Sequence, residues 1–141
     1  MTWETCSLRK WLNDSFLNTA FSKDEQAMIP TVTVSADKNP DFNTDPGNAT
    51  QDQVFLLSIT EANKYFSSDS AWKCKPTEYA KAQGRYVNSN NSNCWWWLRS
   101  PGYNSCRAAN VSSVGSVNSR GDYVNYGDDA VRPALWINLE S

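Results

Sequence analysis

Apolar residues near the start of the chain recur at helical spacing. In "CSLRKWLNDSFLNTAF" Leu8, Trp11, Leu12 and Phe16 fall at i, i+3, i+4 and i+8, one stripe of an amphipathic helix that packs on a core. "SKDEQAMI" then opens with Ser22 and carries Glu25 at the position of a capping box, so a short second helix starts there and Pro30 stops it. "TVTV" reads as a short strand, and residues 35–52 collect Pro, Gly, Asn and Asp, the composition of a long surface loop. The apolar run "QVFLLS" suits a buried strand, and "SITEANKYF" begins another helix with Ser58 and Glu61 as a second capping box.

The second half follows the same grammar. "PTEYAKAQG" has Pro76 near its start and Gly84 at its end, the asymmetry of a short helix. "YVNSNNSN" is a polar loop that leads into "CWWWLRSPG", a strand whose adjacent tryptophans project to alternating faces and imply a large aromatic core. "AVRPALWINL" reads as the closing strand, with Pro133 at an edge or irregular position. The expected class is α+β, with two or more short helices packed on a small twisted antiparallel sheet with long loops.

Between these elements lies "YNSCRAANVSSVGSVNSRGDYVNYGDD". Val111, Val117 and Val124, with Gly115 and Gly121 between them, predict short strands and turns with one face buried and one in solvent. Two copies of a V-x-x-x-G repeat cannot bury the core of a solenoid. The expectation is that the polar positions of 103–129 form one exposed, contiguous face while Trp95, Trp97, Leu98, Val111, Val117, Val124 and Trp136 are largely buried.

Composition and charge narrow the function. At 141 residues and 40% hydrophobic, residues 1–141 make one domain with a single core. The formal net charge of -2 with scattered Lys and Arg argues against a nucleic-acid surface. No apolar run is long enough to span a bilayer, and "MTWETCSLRKW" lacks the features of a signal peptide. Direct membrane insertion is therefore not expected; the location is either the cytoplasm or a surface reached through another component.

Chemistry is narrowed further by what the chain lacks. There is no histidine, and Cys6, Cys74, Cys94 and Cys106 are irregularly spaced, so neither a zinc site nor imidazole-based acid/base catalysis is expected. Asp128 and Asp129 are too few for a calcium site. The reading is a non-enzyme with no metal and no cofactor, whose cysteines are buried free thiols. Arg99 and Arg132 sit in apolar contexts, "WWWLRSPG" and "AVRPALW", that predict buried or half-buried guanidinium groups bonding loop carbonyls.

From Tyr103 to Asp129 there is no Lys, Glu, Gln, Met or Trp, although all five occur elsewhere. These are the amino acids that codons ending in a pyrimidine cannot encode, whereas Asn, Ser, Asp, Tyr, Arg, Cys, Gly and Val all can be so encoded. Randomising the two adenines of a codon such as AAC yields only the permitted set and never a stop. The fixed apolar positions that persist through the stretch separate it from an ordinary flexible linker.

The frame "WWWLRSPG", "AA-V", "G-V", "G", "V" and "VRPALWI", together with "TWETCSLRKWLN" and "VFLLSITEANKYF", resembles variable proteins of diversity-generating retroelements from bacteria and their phages. That resemblance implies a C-type lectin-like fold, similar to formylglycine-generating enzymes and often described only as a domain of unknown function. It implies that a reverse transcriptase rewrites the 3' end of the gene with adenine-directed errors, and that the resulting surface binds changing macromolecular targets, expected to be proteins. The variable positions it implies are Tyr103, Asn104, Ser105, Cys106, Arg107, Asn110, Ser112, Ser113, Val114, Ser116, Asn118, Ser119, Arg120, Asp122, Tyr123, Asn125, Tyr126, Asp128 and Asp129. Tyr and Arg there supply anchors while Ser and Asn supply adaptable hydrogen bonds. Two alternatives stand beside it: a surface or carbohydrate-binding module that is not diversified, and a formylglycine-generating type of enzyme. The enzyme would need a close cysteine pair for copper, and Cys94 and Cys106 lie on either side of a predicted turn without that family's spacing.

Overall fold

The computed structural model describes residues 1–140, which fold into an α+β structure of short helices and two small antiparallel sheets. The N-terminal helical run consists of α1 (Ser7–Trp11), a π-helical turn (Leu12–Phe16) and α2 (Leu17–Ala20). The π turn changes the phase of the apolar stripe. Leu12 and Leu17, five apart, are the buried pair, while Leu8 and Phe16 are half-buried and Trp11 is exposed. Asn13 sits in this turn and satisfies the backbone beside it: its Oδ1 accepts from Gln53 N at 2.8 Å and Val54 N at 3.0 Å, and its Nδ2 donates to the Val54 carbonyl at 2.8 Å.

Helix α3 (Lys23–Ala27) and helix α4 (Ile59–Tyr65) each begin with the capping box expected, Ser22 with Glu25 and Ser58 with Glu61. Helix α5 (Asp69–Trp72) is an addition to the sequence reading, and α6 (Glu78–Ala82) is capped by Thr77. Strands β1 (Val32–Val34) and β2 (Thr50–Asp52) form the first sheet. The end of the segment read as surface loop is thus a strand with Thr50 and Asp52 buried. Asp52 accepts from Trp3 Nε1 at 3.0 Å, Arg9 Nε at 2.7 Å and Thr50 Oγ1 at 2.6 Å, which anchors the N-terminal helix on this sheet.

The second sheet is a meander of β3 (Trp96–Pro101), β4 (Arg107–Val111) and β5 (Val117–Tyr123). Pairing of Ala108 with Asp122 and of Asn110 with Asn118 leaves Ala109 facing Ser119, Arg120 and Gly121, a bulge in β5. Gly121 has φ +70°, and a Cβ there would lie 2.0 Å from the Ala108 carbonyl oxygen, so only glycine fits the bulge without displacing β4.

Two segments read as strands are not strands. Among the described residues, the only rung of residues 53–58 is Phe55 opposite Ala134; elsewhere Asn13 takes the Val54 carbonyl, Arg99 Nη1 takes that of Leu56 at 2.8 Å and Arg99 N that of Leu57 at 3.0 Å. The C-terminal segment has that same rung and a parallel one between Trp96 and Ala130.

Two apolar clusters form the interior. One gathers Trp3, Leu12, Leu17, Ile29, Val34, Val54, Phe55 and Leu56, the other Ile59, Ala62, Cys94, Trp96, Leu98, Ala109, Val111 and Ala130. Of the residues expected in the core, Leu98 and Val111 are buried. The strand phase selects Trp96, 1% exposed, together with Leu98 on the same face, and leaves Trp95 and Trp97 half-buried. Val117, on the edge strand β5, and Val124, in the turn after it, are exposed, and Trp136 is exposed, resting edge-on against Tyr65 at 6.0 Å. Among the described residues, no helix is long and apolar enough to cross a membrane.

Candidate ligand-binding surface

An antiparallel meander puts its two turns at opposite ends of the sheet, so the β3–β4 loop and the β4–β5 turn cannot share one tip. The expected single face of 103–129 therefore divides. The segment after β5 returns to the β3–β4 end: Val124 N donates to the Cys106 carbonyl at 3.0 Å and Tyr103 N to the Arg120 carbonyl at 2.9 Å. Tyr103, Asn104, Ser105, Cys106, Arg107, Arg120, Tyr123 and the start of the following loop gather there. Val114 and Ser116 are exposed at the far end, and Asn118 and Ser119 are half-buried along β5.

At the near end the large side chains pack on one another while staying open to solvent. The Arg107 guanidinium lies over the Tyr123 ring at 4.1 Å and Tyr123 meets Tyr126 edge-on at 5.4 Å. Arg120, presented by the bulge, lies over the Tyr103 ring at 4.9 Å. Tyr103 is 50% exposed and Tyr126 54%. Stacking of guanidinium on tyrosine restricts both side chains before any ligand arrives, which lowers the entropy cost of binding. Beside this patch is an apolar cavity of about 160 Å³ whose lining includes Trp3, Leu8, Leu56, Trp97, Val124 and Arg107.

The loop of residues 35–49 underpins the patch. Buried Asn39 donates through Nδ2 to the Pro101 carbonyl at 2.7 Å and the Ser119 carbonyl at 2.7 Å, Thr44 Oγ1 donates to the Gly102 carbonyl at 2.7 Å, and Phe42 packs edge-on against Tyr103 at 5.2 Å. Sequence reasoning missed these three residues. No local pattern marks them, because each acts on backbone or ring surface far along the chain.

Four of the positions read as variable surface are buried: Asn110, Ser112, Ser113 and Asp129. Asn110 donates through Nδ2 to Asp122 Oδ2 at 2.8 Å and to Asp129 Oδ2 at 2.7 Å, and the Ser113 carbonyl accepts from Asn91 Nδ2 at 3.2 Å and Asn93 Nδ2 at 3.0 Å. These polar groups are internal fasteners of the hairpin and are not part of its exposed face. Burial pushes the Asp129 carboxyl up to about 6, with Asp122 and Asp128 adding to the rise and the Asn110 bond opposing it. Asn110 Oδ1 is buried with no partner among the described residues.

The two arginines flanking the stretch are internal, as expected. Arg99 reaches the carbonyls of Ser35 and Leu56 and the Glu61 carboxylate, and Arg132 Nη1 donates to the Ala71 carbonyl at 2.9 Å while lying over the rings of Phe66 and Trp96. The cysteines depart from a uniform set of buried thiols: Cys94 is buried, Cys6 and Cys74 are half-buried and Cys106 is exposed. Cys94 and Cys106 lie toward opposite ends of β3. Among the described residues, no three His, Cys, Asp or Glu side chains are grouped as a metal site requires.

No curated protein matches this chain, and no solved structure matches it. Residues 1–139 match the family described as a domain of unknown function, DUF6273, and the chain belongs to that family.

Proposed function

We propose that the protein is a ligand-binding module of C-type lectin-like fold that recognises macromolecular targets, chiefly proteins, through the surface built by the β3–β4 loop, the bulge of β5 and the segment after β5, and that this surface is diversified by adenine-directed rewriting of its codons. The reading has the protein bind without catalytic turnover. The observation that carries it is the prestacked cluster of Tyr103, Arg120, Tyr123 and Tyr126, large amphipathic side chains exposed together with half-buried Arg107 on a backbone fastened from below by Asn39 and Thr44. Rigid Tyr and Arg anchors among small polar residues are the composition of surfaces that bind proteins with few inherited constraints. The absence of Lys, Glu, Gln, Met and Trp from 103–129 supports the genetic part of the reading.

The test is the DNA around the gene. The expected result is a nearby reverse-transcriptase gene and a near-repeat of the 3' coding end that differs from the gene at adenines. Differences should fall on the codons of exposed residues such as Tyr103, Tyr123 and Tyr126 and spare those of Asn110 and Asp129. A locus with neither repeat nor reverse transcriptase would overturn diversification and leave a fixed binding module.

A further inference from the structure

Two segments far from the exposed patch meet at a pair of thiols. Cys74, between α5 and α6, stands opposite Cys94, just before β3, as one rung of antiparallel pairing, with Cys94 N donating to the Cys74 carbonyl at 2.8 Å. Opposed residues in a hydrogen-bonded antiparallel rung have Cα atoms about 5.5 Å apart, inside the roughly 4.4–6.8 Å that a disulfide spans. The Cys94 thiol points across the rung, donating to the Cys74 carbonyl at 3.3 Å, and the Cys74 thiol donates to the Lys75 carbonyl at 3.7 Å. Both are free thiols here.

We propose that Cys74 and Cys94 form a reversible disulfide that ties the α5–α6 connection to the root of β3. The oxidant is a disulfide of the glutathione type. The Cys74 thiolate attacks one sulfur of the oxidant, forming a mixed disulfide and releasing one thiolate. Cys94 then loses its proton, its sulfur attacks the Cys74 sulfur, and the second thiolate leaves. Two thiols and one oxidant disulfide thus become one intrachain disulfide and two small thiols.

The two cysteines are suited to these separate roles. Cys74 is half-buried and open to an incoming disulfide, and the neighbouring Cys94 thiol, helped by the nearby charge of Arg132, holds its thiol below the usual range against the opposing effect of burial. Cys94 is fully buried, and the adjacent Cys74 thiol together with burial pushes its thiol up, so it stays protonated until Cys74 has been consumed. Of the remaining cysteines, Cys6 caps α1 through its sulfur, with burial raising its thiol, and Cys106 is exposed near the opposite end of β3.

The bond would also have something to hold. The segment it closes contains α6, which buries no residue, and the polar loop whose Asn91 and Asn93 bond the Ser113 carbonyl and whose Tyr86 N donates to the Asp128 carbonyl at 3.0 Å. Closing the loop stiffens the support on which the β4–β5 turn rests. The inference stands independently of what the exposed patch binds.

The experiment equilibrates the full chain in glutathione buffers of graded redox ratio, quenches with acid, alkylates and maps the peptides. The expected product loses two hydrogens, joins Cys74 to Cys94, leaves Cys6 and Cys106 alkylatable, and reverts in excess reduced glutathione. Amide exchange across residues 77–93 should slow by about tenfold on oxidation. The Cys94→Ala variant should stop at glutathione on Cys74, and Cys74→Ser should form no bridge at all, a readout that holds even if the first variant fails to fold. A bridge to Cys106 instead, mixed disulfides that never close in the natural chain, or unchanged exchange after closure would each overturn the proposal.

Discussion

The Arg99 guanidinium is buried against the Glu61 carboxylate, donating to it through both Nη1 and Nη2, the latter at 2.9 Å. The same carboxylate accepts from Ser58 N at 3.1 Å, so one side chain caps α4 and pairs with β3. Removing one member of a buried pair strands the other charge. Arg99→Ala should cost about 3–5 kcal/mol, since it also orphans the carbonyls of Ser35 and Leu56. Urea unfolding measures this, and a loss below about 1 kcal/mol would mean that the pair contributes no more than a surface ion pair.

Trp96 should be the tryptophan of "WWW" on which the fold depends. Its side chain is 1% exposed and its Nε1 donates to the Trp72 carbonyl at 3.0 Å. Trp96→Ala should cost about 3–5 kcal/mol, and Trp95→Ala, at a half-buried site, clearly less. Thermal melts of the two variants decide it; equal losses would contradict the observed strand phase.

Within 103–129 stability and display should separate. Tyr123→Ser and Tyr126→Asp change exposed rings whose packing is worth about 1 kcal/mol at most, whereas Asn110→Ala removes the donor shared by Asp122 and Asp129 and should cost about 1–3 kcal/mol. Chemical denaturation of the three variants gives the ranking. If the tyrosine changes unfold the protein as readily as Asn110→Ala, the exposed cluster is structural.

Asp129 makes a pH dependence of definite sign. Its folded value of about 6 stands above the ordinary 3.8, so its contribution is fully present below about pH 4 and is lost as pH rises through about 6. Between those limits the folded protein holds up to about one more proton than the unfolded chain at this site. The stability of the natural chain relative to Asp129→Asn should therefore fall from pH 4 to pH 7. Urea midpoints at several pH values test this, and a relative stability that rises over that range would refute the assignment.

Local chemistry was legible in the sequence and phase was not. Ser22 with Glu25 and Ser58 with Glu61 announce helix starts because a capping box is satisfied within four residues. Arg99 and Arg132 were readable as internal from their apolar neighbours. The tryptophan run fits two strand phases, and the expected one, with Trp95 and Trp97 inward, is the opposite of the observed one, because the choice of Trp96 depends on partners such as Trp72 and Ala130 that the run itself does not contain. Asn110 and Asp129 look like any surface polar residue until the hairpin folds them against each other, and Asn39 acts on carbonyls more than sixty residues away. The segment "QVFLLS" lacks strand partners because Asn13 and Arg99 satisfy its backbone instead, an arrangement no apolar pattern encodes.

The Gly121 bulge fixes the number of residues as firmly as their geometry. Pairs on both sides of it, Ala108 with Asp122 and Asn110 with Asn118, hold their register only for one spacing of the chain. Adding or deleting a single residue between them would turn the side chains that follow in β5, Asp122 and Tyr123, to opposite faces. Replacement of one side chain by another leaves that count untouched. The exposed side chains of this hairpin can therefore be exchanged without disturbing its pairing, while a change of length disturbs it.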